Sequence, residues 1–358
     1  MIVVDAHEDI AYNALCFGRD YRRSALETRR LEQGTDTPQK AGIATVGLPD
    51  SMLGRVAVVF ATLFVAPHTG KTDPWDKLSY KDVGEAYKLA MAQMDYYQRL
   101  ADESEKIQLI RNTSELDAVL ATWEKDTPLA QRKQGLVILM ENADPIIEPR
   151  QFEEWYERGV RIVGPAWKGT RYTGGTGEPG PLTKLGRELL EVMNSFHAVL
   201  DLSHMAEEAF LEAVDLYDGV LIASHSNPRK FRNTDRHLSD MMIRRLAERD
   251  GVMGIVLYNR FLSDNWSPGD RKSDVNLSVV LDAIDHVCQV TGSVAHVGIG
   301  SDFDGGFGVQ SIPAELDTVM DLWSIGDALR GRGYSESDIE AVLSGNMLRK
   351  LRQALAAG

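Results

Sequence analysis

Cysteine is almost absent from this sequence. Cys16 and Cys288 are the only two in 358 residues, far apart and outside any C-x-x-C spacing, which excludes a disulfide framework and a thiolate metal site. No apolar run nears the roughly 20 residues needed to cross a bilayer. Internal repeats and low-complexity segments are also missing. Positive charge is in deficit: 39 Lys and Arg stand against 53 Asp and Glu, a formal net charge of -14. That balance argues against nucleic acid or an anionic membrane surface as a partner. No G-x-G-x-x-G follows the first strand, which weakens a dinucleotide-binding reading. MIVVDAHEDI opens directly on a buried-strand pattern, without the charged and apolar regions of a signal peptide, so a cytoplasmic protein with free thiols is expected.

What is present is an ordinary globular composition, 43% hydrophobic and 26% charged, enough for a full core. Short apolar or β-branched runs alternate with longer helical patterns. The strand candidates are Ile2–Ala6, Val56–Phe64, Leu136–Met140, Val160–Gly164, Val199–Leu202, Val220–Ala223, Val252–Leu257 and Val297–Gly300. Helical patterns cover Tyr80–Glu103, Leu185–Phe196, Ala206–Leu216 and Asp240–Arg249, with Ser203 and Asp240 where caps are expected. Eight apolar strands with intervening helices predict an α/β fold, a closed (β/α)8 TIM-like barrel, as one domain over residues 1–358. The segment Thr69–Gln134 reads as a mostly helical elaboration outside the barrel. Lys168–Leu182, rich in Gly, Thr and Pro, reads as a mobile loop at its mouth.

The polar residues fall at the ends of these runs. His7 and Asp9 follow the first strand, Glu141 ends the third, His204 follows the fifth, His225 the sixth and Asp302 the eighth. Barrel enzymes place catalytic groups at strand C-terminal ends. His7 and Asp9 are two apart, so an extended backbone points both to one side. Taken singly, an H-x-D or a histidine after a strand is commonly structural, and Glu141 alone would suit a helix start. Together, three imidazoles and two carboxylates exceed the needs of one tetrahedral zinc and suit two divalent ions, zinc first among them. Glu141 is the expected bridge, with His7 and Asp9 on one ion and His204 and His225 on the other. Asp302, in GIGSDFDGG, is the expected general base or acid. Gly298 and Gly300 beside it leave room for a ligand or for close backbone approach, and Asp304 reads as a turn former. SHSNPRKFRNTDRHLSD brings four Arg or Lys, one of which suits a substrate carboxylate; the others read as a solvated face.

These pieces resemble the membrane (renal) dipeptidase family, a branch of the amidohydrolase-like barrels. VVDAHEDI, LMENADPI, PLTKLGRELLEVMN, DLSH, SHSNPR, GIGSDFDGG and SGNMLRKL occur in family order over most of the chain. The resemblance implies a two-zinc barrel that hydrolyses dipeptides or dipeptide-like compounds through a water shared by the metals, and a possible homodimer. It places the metal ligands at His7, Asp9, Glu141, His204 and His225, with Asp302 as the catalytic aspartate. Arg236 falls on the arginine that holds the substrate's C-terminal carboxylate, ahead of Arg229 and Arg232, and Tyr258 on a pocket tyrosine.

The sequence departs from the family pattern at the fourth strand. There RIVGPAW puts Trp167 where the family has a histidine that contacts the reacting carbonyl. Indole donates one hydrogen bond but carries no proton or positive charge near neutrality, and loss of such a donor removes about 2.7–4 kcal/mol of transition-state stabilisation in comparable sites. Trp167 instead suits narrowing the pocket or stacking on substrate. Milder departures are Ala6 for Gly, Asn142-Ala143 for Gly-Gly and His237 for Asn. The alternatives left open are a related hydrolase of another amide, lactone or ester, and a catalytically silent metal- or ligand-binding barrel.

Overall fold

The computed structural model describes residues 1–69 and 72–357. Eight parallel strands close into a barrel: β1 (Val3–Glu8), β2 (Val56–Phe64), β3 (Gln134–Glu141), β4 (Val160–Gly164), β5 (Val199–Asp201), β6 (Leu221–Ala223), β7 (Val252–Ile255) and β8 (Val297–Ile299). Each pairs with its sequence neighbours, β1 with β8 closes one seam, and the long β2–β3 ladder runs from Val58↔Gly135 to Phe64↔Glu141. VAVVFATLF in β2 is apolar on both faces because one face meets the barrel interior and the other the helices.

The eight expected strands are therefore all present, with ends shifted by a few residues. The segment after Thr69 differs from expectation. Its residues 70 and 71 lie outside the described residues. The helix α1 (Val83–Asp102) is the barrel's own outer helix between β2 and β3, capped by Asp82, whose carboxylate accepts from Glu85 N at 2.9 Å. Its buried row Ala86, Ala90, Met94 and Tyr97 lies against the sheet, and the Tyr97 hydroxyl donates to Thr62 O at 2.9 Å. The short strand Ile107–Leu109 joins the sheet beside the start of β3. A long helical pattern without its strand partners looks like an appendage; pairing with β3 makes it part of the wall.

Two other expectations are corrected. Lys168–Leu182 contains a hairpin, Thr173–Gly175 paired with Glu178–Leu182, whose first strand is held by Ala206 N donating to Gly174 O at 3.1 Å and whose turn is held by Gly177 N donating to Asp235 Oδ2 at 2.6 Å. The caps also move. Ser239 caps α4 (Asp240–Glu248), accepting from Met242 N at 3.3 Å, and Asp240 is its first helical residue. Ser203 caps nothing: its hydroxyl accepts from His225 N at 3.1 Å, and α3 (Glu207–Leu216) has no side-chain cap. α2 (Lys184–Ser195), capped by Thr183, precedes β5.

The glycines of β7 and β8 serve backbone approach rather than ligand space. A Cβ on Gly300 would sit 1.9 Å from Ser224 O, and one on Gly254 2.0 Å from it. Gly298 faces Met347 of the C-terminal helix at 3.2 Å. Gly300→Ala is expected to lower stability by about 3 kcal/mol, read as a lower urea midpoint at unchanged slope. Among the described residues, no helix is long and apolar enough to cross a membrane.

Candidate metal and substrate site

The C-terminal rim of the barrel brings the scattered ligand-type residues together. Glu141 stands at the centre with its two oxygens divided. Its Oε2 lies 3.5 Å from His7 Nε2, and its Oε1 lies 3.2 Å from His204 Nε2 and 3.3 Å from His225 Nε2. The same His7 Nε2 is 3.8 Å from Asp9 Oδ1 and 3.9 Å from Asp302 Oδ1. The His7 and His225 rings stack at 3.6 Å. All except Asp302 and His204 are nearly closed to solvent.

The supporting residues show which atoms are free to bind. Ser224 Oγ donates its one proton to Asp201 Oδ2 and stands 2.8 Å from His225 Nδ1. Nδ1 must then be the donor to Ser224, which leaves His225 Nε2 as a lone pair. His204 Nε2 lies 3.0 Å from that nitrogen, while its Nδ1 faces Thr176 Oγ1 at 3.1 Å. Asp9 is fixed by a short bond from the Thr62 hydroxyl. Asp5 repeats the Asp201 device three seams away, between β1 and β8: it accepts from Ser301 N at 2.7 Å and from His7 N at 3.3 Å. Buried carboxylates thus staple β1 to β8 and β5 to β6 directly beneath the histidines.

Charge in this pit is unbalanced in the way a bound cation corrects. Burial, reinforced by Glu141 and Asp304, pushes Asp9 up to about 6 against the pull of His7 and Thr62. Burial, with Asp9 and Glu141 nearby, holds Asp302 well above the usual carboxylate range. His204 is lowered to about 4 by burial and by the Arg236 cation. Burial opposes charge on His7, yet Glu141, Asp9 and Asp302 raise it to about 10. In the absence of a cation the cluster of imidazoles and carboxylates, packed within 3–4 Å of one another, draws in protons that a bound metal ion would displace. Two groups, His7–Glu141–His225 and His7–Asp9–Asp302, have atoms within 4.8 Å of one another. The donor set fits divalent ions of the zinc class.

Several of these residues sit in left-handed backbone: Asn142 at φ 72°, His204 at 64°, Asp302 at 59° and Asp304 at 61°. Asn, Asp and His tolerate that region best among non-glycines, and such strain collects at functional sites. Asn142 is held by its amide donating to Val65 O at 2.9 Å and to the Tyr80 hydroxyl at 3.0 Å. Gly305 is required, since its Cβ would lie 2.0 Å from Asp302 Oδ1.

A cavity of about 270 Å³ opens on this cluster. Arg236 lines it, 6% exposed, with Nη2 donating to His225 O at 2.6 Å and Nη1 to Ser226 Oγ at 3.2 Å. Its Nε has no partner within the described residues. Arg229 and Arg232 are engaged elsewhere, on Glu207 at 2.7 Å and Asp264 at 3.8 Å. Trp167 forms a wall, edge-on to Phe64 at 5.1 Å. Tyr258 is not among the lining side chains: it stacks on Phe307 at 4.4 Å, and its neighbour Phe261 lines the cavity instead. Tyr12, Phe64 and Asp76 line it too. Sequence reasoning missed them; Tyr12 lay one helical turn past Asp9, the only signal that pointed to any of the three.

A model of the family described as membrane dipeptidase, peptidase family M19, matches residues 1–357. An uncharacterized protein in the pqqA 5′ region of Klebsiella pneumoniae is 33% identical over 214 residues, 57% of this chain and 76% of that protein. Dipeptidase tcpJ of Claviceps purpurea is 24% identical over 324 residues, 88% of this chain and 71% of that protein. A metallo peptidase from Rhodobacter sphaeroides, crystallised with a phosphinate mimic of the dipeptide L-Ala-D-Ala, shares the fold with a TM-score of 0.76 at 22% identity, over 99% of each chain.

Proposed function

This chain belongs to the membrane dipeptidase family, peptidase family M19, and from that premise we propose that it hydrolyses the amide bond of dipeptides at this rim with two zinc ions. The observation that carries the reading is the divided Glu141 carboxylate, 3.5 Å from His7 on one oxygen and 3.2–3.3 Å from His204 and His225 on the other. On this reading His7, Asp9, Glu141, His204 and His225 would hold the ions, with Glu141 shared between the His7–Asp9 and His204–His225 sides. When bound, the ions supply Lewis acidity at the scissile carbonyl and make a water more acidic.

The remaining work falls to the chain's own groups. Asp302, partly open to the cavity and close to His7, takes a proton from the attacking water and delivers it to the departing amine nitrogen. The water oxygen adds to the carbonyl carbon first; the C–N bond then breaks as the carbonyl re-forms and the amine nitrogen takes up the proton, so the proton balance closes within the site. Arg236, which lines the cavity, holds the substrate's C-terminal carboxylate through its guanidinium, a charge-assisted contact made stronger by burial. Trp167 closes the wall beside the carbonyl and excludes water, without the proton-carrying capacity of a histidine.

Metal analysis of purified protein, combined with a panel of dipeptides, N-acyl amino acids, lactones and esters, tests the proposal. Zinc-dependent cleavage confined to dipeptides is expected. Turnover only of a lactone or ester would replace the substrate class, and no turnover by fully metallated protein would favour a silent binding barrel. Arg236→Ala is expected to raise KM for dipeptides by about 10- to 100-fold, with a smaller change in kcat. An unchanged KM would remove Arg236 from carboxylate recognition.

A further inference from the structure

In the ring of eight strands, β2 and β6 stand four places apart, on opposite sides of the barrel. Arg236 belongs to the loop after β6. The loop after β2 carries Asp76, and both side chains line the same cavity. One is a buried cation and the other a half-buried carboxylate.

Asp76 is held in place. Its loop is anchored where Ala66 and Pro67 pair with Ser79 and Tyr80. Asp76 N donates to Asp73 O at 3.0 Å, and Asp76 Oδ1 accepts from Leu78 N at 3.1 Å. The Tyr12 phenol adjoins the carboxylate. Burial pushes its acid above the usual range, while Leu78 N and Tyr12 pull it back, and His68 adds only a minor attraction. Among the described residues no lysine or arginine is paired with this carboxylate, whose donors are a backbone N–H and a phenol, and that leaves a demand for positive charge.

A dipeptide meets that demand. It is a zwitterion whose two residues extend to about 7 Å, and a cavity of about 270 Å³ suits that size better than a longer peptide. An α-ammonium placed among Asp9 and Glu141 would compete with the divalent ions for the same oxygens and be repelled by them. Asp76, across the mouth from Arg236, is a carboxylate outside the metal cluster.

We propose that Asp76 binds the α-ammonium group of the dipeptide whose carboxylate is held by Arg236, so that the site selects compounds bearing both charges across one amide bond. This rests on the dipeptidase reading above. It predicts discrimination against N-acylated substrates, because a site built for a charged partner is left with a half-buried carboxylate lacking its cation when that partner is missing.

The test compares L-Ala-D-Ala with N-acetyl-L-Ala-D-Ala on zinc-loaded wild-type protein, Asp76→Asn and Asp76→Glu. Wild type is expected to favour the free dipeptide, Asp76→Asn to reduce kcat/KM on it by about 10- to 100-fold and shrink the preference by a similar factor, and Asp76→Glu to restore part of it. A preference unchanged in Asp76→Asn overturns the assignment. If wild type cleaves neither compound, the dipeptidase reading fails separately. Calorimetric binding of the phosphinate mimic of L-Ala-D-Ala and of its des-amino analogue then decides Asp76. An amine-dependent gain seen in wild type and lost in Asp76→Asn supports the contact; equal binding in both proteins overturns it.

Discussion

Asp302→Asn is expected to lower kcat by about 10²- to 10⁴-fold, roughly 2.7–5.4 kcal/mol of transition-state stabilisation, while zinc per chain stays at the wild-type value. The amide keeps the size and the left-handed backbone of Asp302, φ 59°, but takes up and returns no proton. The decisive pair of measurements is single-turnover hydrolysis and metal content on the same sample. Turnover at the wild-type rate would strip Asp302 of its role. Loss of metal together with turnover would make it a ligand, a reassignment its 3.9 Å approach to His7 Nε2 permits.

The second large effect belongs to Glu141. Glu141→Gln keeps the shape but replaces one of the two anionic oxygens that face the histidines with an amide NH₂, whose protons point at lone pairs meant for a cation. Bound zinc is expected to fall below one ion per chain, and activity with it. Stability offers an independent readout. A site saturated at a hundred times its dissociation constant adds about 2.7 kcal/mol to the folded state, so added zinc should raise the wild-type Tm by several degrees and leave the Glu141→Gln curve nearly unmoved. Wild-type metal content and thermal response in the variant would remove Glu141 from the centre of the site. The measurement also separates metal binding from chemistry, since Asp302→Asn should retain the zinc-dependent rise.

The limits of sequence reasoning follow from particular residues. The strand runs were legible because a parallel strand covered on both faces must be apolar almost throughout, as in β2 and β3. The ligands were legible because His and carboxylates directly after such runs are otherwise hard to explain. The helix at 80–103 was legible, but the strand Ile107–Leu109 was not, because three residues are too few to carry a period. The hairpin at 173–182 was read as mobile because Gly and Pro mark turns without saying whether flanking backbones pair. Asp76 sits in a loop between Asp73 and Leu78 whose composition gives no sign of what it faces.

Local chemistry along the chain determined the eight strands, the order of the ligand-type residues and the kind of ion they suit, because periodicity and donor type are properties of short segments. Tertiary closure alone decided that Glu141 splits its oxygens between two sets of histidines, that Ser224 and Asp201 set the free nitrogen of His225, and that Arg236 and Asp76 line one cavity. Those relations join residues up to 160 positions apart, as Asp76 and Arg236 are, and such distances exist only once β1 meets β8 and the ring is shut.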